Sequence, residues 1–147
     1  MYQLDRPVSC SIARAMEILG ERWTFLILRE SFYGVRRFSD MQRNLGIARN
    51  ILSTRLQSLV AAGVLERIPY QEEPPRFEYR LTEAGRDLYP SIVTLMRWGD
   101  RHLTDAPPVV LRHNVCGHEA DPLLVCSHCH EQLVPQEVTP ERATNAV

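Results

Sequence analysis

Four of the five histidines and three of the four cysteines in this 147-residue chain lie between residues 113 and 130. They form two chelating pairs. One is His113-Asn114-Val115-Cys116, followed by Gly117-His118; the other is Cys126-Ser127-His128-Cys129, followed by His130. Two ligands separated by two residues can grip one ion across a tight turn, and two such turns complete a tetrahedral Zn²⁺ shell. Cys116, Cys126 and Cys129 are the expected thiolate ligands and His113 the expected fourth, with His118 as the alternative because Cys-x-His also chelates. The nine residues between the pairs, Pro122-Leu123-Leu124-Val125 among them, can form a connecting hairpin. A closed four-ligand site is structural, and a module this short would need its metal to fold. Two other readings stand beside zinc. One is a redox-active Cys126/Cys129 pair, thioredoxin-like in spacing but lacking a βαβ setting; the other is a metal-free hairpin packed on helices.

A second group of residues has the chemistry to read base edges. From about Arg49 to Ala62 the apolar positions Leu52, Leu56, Leu59 and Gly63 recur on one helical side, and Asn50, Thr54, Gln57 and Ala61 on the other. Arg49 and Ser53 sit toward the N-terminal end. Asn and Gln pair bidentately with adenine and Arg with guanine, so this helix suits the major groove. Arg76, at the tip of a following hairpin, suits a phosphate or minor-groove contact.

The elements that must hold these residues can be read from period and punctuation. A short helix runs from Ser9, its N-cap, to Leu19, with Ile12, Met16 and Leu19 on one face and Gly20 as its stop. Trp23-Thr24-Phe25-Leu26-Ile27-Leu28 is too apolar for a surface helix and reads as a central buried one ending near Gly34. Ser39-Asp40-Met41-Gln42 has the pattern of a capping box opening a third helix, which stops at Gly46. The helix from Arg49 follows. Val64–Tyr70 and Arg76–Leu81 then read as strands joined by the five-residue loop Gln71–Pro75. Thr82 is expected to cap one helix through about Leu103, striped by Leu88, Ile92, Leu95 and Gly99, with Pro90 kinking it or shifting its start.

Asp105-Ala106-Pro107-Pro108 reads as a linker. The expected organisation is therefore a DNA-binding and dimerisation domain over 1–104, a zinc-ribbon-like module over 109–138 and a flexible tail over 139–147. The fold class is mainly α with a β-hairpin wing, a winged helix-turn-helix, plus the small C-terminal hairpin. The Leu88/Ile92/Leu95 stripe, widened by Val93 and Met96, exceeds what so small a core can cover, which predicts a homodimer through the first and last helices.

Composition agrees with a globular chain: 44% hydrophobic, 24% charged, and no run near the roughly 20 apolar residues of a membrane span. Asp5, Arg6, Arg14 and Glu17 break any signal-peptide core, so the expected compartment is the cytoplasm, where cysteines favour metal or redox roles over disulfides. The formal charge of −1 hides a split, net +3 over residues 1–103 and net −4 over 104–147. Residues 36–80 hold eight Arg against five acids, a modest cationic excess around the hairpin and the base-reading helix. Every basic residue is Arg. No Gly-rich phosphate loop, G-x-S-x-G elbow or other catalytic constellation is present, so an enzyme is not expected.

The order of motifs resembles the HxlR-type branch of winged-helix transcriptional regulators, which is related to the MarR-like ones. Cys10-Ser11-Ile12 with Ile18-Leu19-Gly20-Glu21-Arg22-Trp23-Thr24 resembles the family's N-terminal Cys-Pro…Ile-Gly-Gly-Lys-Trp stretch. Arg37-Phe38-Ser39-Asp40-Met41 resembles the opening of its helix-turn-helix, and Ile51-Leu52-Ser53-Thr54-Arg55-Leu56 its recognition helix. Val64-Leu65-Glu66-Arg67 and Tyr79-Arg80-Leu81-Thr82-Glu83-Ala84-Gly85 resemble the wing and last helix. Ser11 replaces the usual Pro, and Ala48 stands where a capping Ser or Thr is common.

The resemblance implies a homodimer that binds an operator in double-stranded DNA and autoregulates or represses a neighbouring gene. In several members the N-terminal cysteine senses oxidants or electrophiles, which makes Cys10 the redox-sensing candidate and an oxidant or small molecule the candidate effector. A helix's first turn favours a thiolate, and Arg6 and Arg14 are near in sequence; the alternative role for Cys10 is a small buried hydrophobe. Two readings compete with DNA binding: a zinc-ribbon protein-interaction module on a helical dimer scaffold, and a thiol-disulfide oxidoreductase using Cys126 and Cys129.

Overall fold

A computed structural model describes residues 10–141. The apolar run in the second helix does form the centre of the core. That helix, α2 (Arg22–Phe32), buries Thr24, Ile27, Leu28 and Glu30. It follows α1 (Ser11–Leu19), of which only Leu19 is fully buried. The remainder of the core comes from Met41, Ile47, Leu52, Leu56, Leu59, Val64, Leu65 and Ile92. Each such aliphatic side chain contributes about 1.5–3 kcal/mol by leaving water. Ser9, the expected first N-cap, lies outside the described residues; Cys10 occupies the cap position of α1 and makes no side-chain cap bond.

The third helix departs from its sequence signature. Helix α3 (Phe38–Leu45) starts one residue earlier than Ser39, with extended Arg37 as N-cap and no side-chain cap bond. The Ser39–Gln42 capping box therefore does not form. The N–H groups of Asp40 and Met41 bond instead to the Arg37 carbonyl, while Phe38 packs on the core. Gly46 ends the helix at φ 61°, a left-handed turn that glycine adopts at little cost. Buried Glu30 holds the far end of α3: Asn44 Nδ2 donates to Glu30 Oε2 at 2.8 Å, and Arg29 pairs with Glu30 Oε1 at 2.9 Å.

Helix α4 (Arg49–Ala61) leads through Gly63 (φ 72°) into the wing. Gly63 is thus a turn residue and does not extend the apolar side. Strands β1 (Leu65–Gln71) and β2 (Arg76–Leu81) pair antiparallel from Leu65↔Leu81 to Pro69↔Phe77, with an irregularity between Pro69 and Gln71. Gln71 belongs to β1, which shortens the expected loop to 72–75. The Tyr79 N–H donates to the Arg36 carbonyl at 2.8 Å, and Arg37 bridges Glu78, so the wing is tied to the segment before α3.

The expected single last helix is two. Thr82 caps only α5 (Glu83–Arg86), accepting from the Gly85 N–H at 3.1 Å and donating to the Gly63 carbonyl at 2.6 Å. Helix α6 (Tyr89–His102) then starts afresh. Pro90 is the reason: lacking an N–H, it fits only the first turn of a helix. The predicted stripe divides accordingly. Ile92 and Val93 are buried and Leu88 packs on the core, whereas Leu95 is half exposed at 51%, as is Trp98, outside the stripe, at 54%.

Gly85 has a tight environment. A Cβ there would lie 2.2 Å from the Val64 carbonyl oxygen, which is backbone and cannot swing away. Gly85→Ala is expected to destabilise the fold by about 1–3 kcal/mol through overpacking, measured as a lower thermal midpoint.

The chain divides into two compact units between Val93 and Thr94. The first holds the core described above. In the second, Arg97 pairs with Asp121 at 2.6 Å, the Trp98 and His102 rings meet at a tilt of 42°, and no hydrophobic side chain among the described residues is fully buried. No described helix is long and apolar enough to cross a membrane.

Candidate nucleic-acid interface

Helix α4 is pinned as its pattern demands. Leu52, Leu56 and Leu59 are buried, while Arg49, Asn50, Thr54 and Gln57 are exposed and Ser53 is half-buried. Ala48 is extended and makes no side-chain cap bond; its carbonyl accepts from the Leu52 N–H at 3.0 Å. The helix N-terminus is therefore bare, with amides open to a phosphate. Thr54 Oγ1 donates to the Asn50 carbonyl at 2.9 Å, so its hydroxyl faces a ligand as an acceptor. Gln57 Nε2 is held only loosely by Ser53 Oγ at 3.5 Å.

The face of α4 opens into a cleft whose other wall is the wing. Arg37, Phe38, Ser39, Arg49, Ser53 and Gln57 line one side; Arg67, Tyr70, Pro75, Arg76, Phe77 and Tyr79 line the other. Three guanidiniums lie over aromatic rings: Arg37 over Tyr70 at 4.6 Å, Arg49 over Phe38 at 5.3 Å and Arg67 over Phe77 at 3.5 Å. Stacking restrains the long side chain while leaving the N–H edge available to an anion. The charge is also uncompensated here. Arg43, Arg55 and Arg80 pair with Asp40, Glu21 and Glu78, whereas among the described residues no carboxylate pairs with Arg37, Arg49, Arg67 or Arg76.

The six positions that the sequence offers for DNA contact are at least partly exposed: Arg49, Ser53, Gln57 and Arg76 line the cleft itself, and Asn50 and Thr54 are exposed on α4. Arg37 and Arg67 were not anticipated. Arg67 lies near Phe77 only because Pro69 pairs with Phe77 and Arg67 with Tyr79 across the hairpin. Arg37 was visible only as part of a family motif.

The remaining candidates lie elsewhere. Cys10 is half-buried, and its carbonyl accepts from the Arg14 N–H at 3.0 Å. Arg6 lies outside the described residues. In the C-terminal segment His113 Nδ1 is 3.3 Å from Cys116 Sγ. Cys126 Sγ accepts from the backbone N–H groups of Cys129 and His128 and from the Cys129 side chain. These bonds lower its thiol pKa, against a smaller upward push from desolvation. Among the described residues no three His, Cys, Asp or Glu side chains form a ready-made metal site.

The HxlR-like helix-turn-helix family matches residues 18–107 of the chain. The chain belongs to the HxlR-like helix-turn-helix family. It is similar to an uncharacterised HTH-type transcriptional regulator of Mycobacterium bovis, 57% identical over 133 residues that span 89% of this chain and 84% of the relative. The crystal structure of PA1607, a candidate transcription factor, superposes with a TM-score of 0.84 at 35% identity, covering 92% of this chain and 96% of that one. The redox regulator HypR in its oxidised form superposes at 0.60 and 29% identity, covering 65% of this chain and 99% of its own. This HxlR-like chain is thus a transcriptional regulator with a helix-turn-helix DNA-binding fold. HypR matches a share close to that of the family's own segment. The mycobacterial relative and PA1607 leave too little of the chain unmatched to omit the segment beyond residue 107.

Proposed function

We propose that this HxlR-like regulator binds a specific operator as a homodimer and represses the gene it controls. One observation carries the reading: Arg49, Ser53 and Gln57 of α4 share one cleft with Arg67 and Arg76 of the wing, which no carboxylate among the described residues pairs with. In that arrangement α4 enters the major groove, Asn50, Thr54 and Gln57 meet base edges, and Arg67 and Arg76 hold the flanking phosphates. A gel shift with the promoter of its own gene, against scrambled DNA of equal length, tests it. Equal affinity for both would overturn sequence-specific readout.

The dimer is supported by apolar surface on two helices. Ile12 and Met16 of α1 are exposed at 73% and 43%, and Leu95 and Trp98 of α6 are half exposed. Exposed clusters of this kind mark association surfaces, and a dimer would set two recognition helices about one DNA turn apart. Sedimentation equilibrium is expected to show a dimer at micromolar concentration. The double variant Leu95→Glu/Trp98→Glu is expected to be monomeric and to lose most operator binding. A monomeric wild type would defeat the proposal.

An oxidant is the effector that the available features favour. Cys10 sits at the N-cap of α1, and HypR is described as a redox regulator in both oxidised and reduced forms. If Cys10 is the sensor, Cys10→Ser abolishes any oxidant-induced change in operator affinity and leaves reduced-state binding as it was. An undiminished response in the variant would remove Cys10 from this role.

A further inference from the structure

The segment beyond the family's matched residues has a structure of its own. Its backbone is a tandem repeat with a 13-residue offset. The His113 N–H bonds to the His118 carbonyl and the Cys126 N–H to the Glu131 carbonyl, both at 2.9 Å. The Gly117 N–H bonds back to the His113 carbonyl at 2.7 Å, and the His130 N–H to the Cys126 carbonyl at 2.9 Å. Ala120 bonds to Leu111, and Leu133 to Leu124. The bridges Arg112↔Glu119 and Val125↔Gln132 keep the same offset. Gly117 and His130, each directly after a Cys, take the left-handed conformation at φ 73° and 61°. His130 carries a side chain there at a conformational cost, so the turn is demanded in the second copy as much as in the first.

In each turn the first and fourth residues are the potential ligands, and they are already close. His113 Nδ1 and Cys116 Sγ, 3.3 Å apart, nearly span the edge of a tetrahedron with one nitrogen and one thiolate on zinc, about 3.5 Å for ordinary bond lengths. In the second turn Cys126 and Cys129 take the matching first and fourth positions, fixed by the same 13-residue offset in the backbone hydrogen bonds. The repeat also separates the two candidate histidines. His113 is the counterpart of Cys126, whereas His118 is the counterpart of Glu131 and closes the turn with its carbonyl.

What holds this segment is not a hydrophobic core. Val115, Leu123 and Leu124 are 88%, 56% and 63% exposed, and no side chain from 108 to 141 is fully buried. Two hydrogen-bonded turns without a core do not repay the chain entropy of ordering them, and small modules of this kind are stabilised by a metal or a disulfide. All three cysteines here are free thiols.

We infer that residues 111–133 are a pair of metal-binding knuckles that take one zinc ion through His113 Nδ1 and the thiolates of Cys116, Cys126 and Cys129. The ion draws the two turns together, and binding releases the thiol protons to solvent. Three thiolates and one imidazole select zinc over harder divalent ions. With four protein ligands the site has no open position, so its role is to fold the segment.

The test uses the full chain, purified under reducing conditions without chelator. Elemental analysis is expected to find about one zinc per chain, and cobalt added to the stripped protein is expected to give the absorption of a tetrahedral thiolate site. Cys126→Ser and His113→Ala are each expected to lose bound metal at least tenfold, whereas His118→Ala and Cys10→Ser retain it. Hydrogen exchange guards against a trivial unfolding effect. Chelation should remove protection at the amides of Gly117, Ala120, His130 and Leu133 and leave α2 and α4 protected; re-adding zinc should restore it. Absence of zinc, iron in its place, or metal loss in His118→Ala with retention in His113→Ala would overturn the assignment.

Discussion

Asn50→Ala is expected to lower operator affinity by about 5- to 150-fold, the equivalent of about 1–3 kcal/mol for one lost bidentate base contact. Binding to unrelated DNA should hardly change, because Asn50 carries no charge and phosphate attraction supplies nearly all of the non-specific affinity. Arg67→Ala gives the opposite signature. Its guanidinium, stacked on Phe77, is expected to contact phosphate, so its loss should weaken binding to every sequence and reduce the slope of log affinity against log salt by about 0.9. Arg76→Ala should behave in the same way. Fluorescence anisotropy over a salt series, with operator and scrambled duplexes, separates the two classes. If Asn50→Ala loses affinity equally on both duplexes, α4 does not read bases.

Leu56→Ala is expected to cost about 2–5 kcal/mol of folding stability, the range for truncating a fully buried leucine. Leu56 is 0% exposed, and so is Leu52 one turn before it. The two sit beneath the exposed Asn50 and Thr54 and fix the angle at which α4 presents them. Typical domains are stable by only about 5–15 kcal/mol, so the loss should lower the urea midpoint markedly without changing the denaturant slope. Operator binding by the folded fraction should also weaken, because a helix that can rock over a cavity no longer holds its polar face in register. An urea midpoint equal to wild type would mean that α4 is not seated as described.

The division of labour on α4 was legible in the chain because it is local. A leucine every three or four residues specifies which side is buried, and whatever lies opposite must face solvent. The wing strands were legible to within a residue for the same reason, as two extended runs separated by a short loop ending at Pro75. Local order also exposed the two Cys/His pairs, and the succession of motifs carried the family resemblance.

Other features depended on residues distant in sequence. The Ser39–Gln42 pattern had the chemistry of a cap, but the helix began one residue before it, with the half-buried Phe38 packed against the core. A continuous apolar stripe suggested one last helix; Pro90 could sit only in a first turn, so a new helix starts there, and Leu88, Ile92 and Val93 found cover while Leu95 did not. Arg67 became part of the cleft through cross-strand pairing with the β2 register, which no local pattern states. The choice between His113 and His118 is of the same kind. Both satisfy ligand spacing, and the proposed preference for His113 rests on its closeness to Cys116 and on the hydrogen bonds that equate 113 with 126 and 118 with 131. Periodicity reports which face of an element is apolar; which neighbour covers that face, and which side chains then meet, is decided by packing and register in three dimensions.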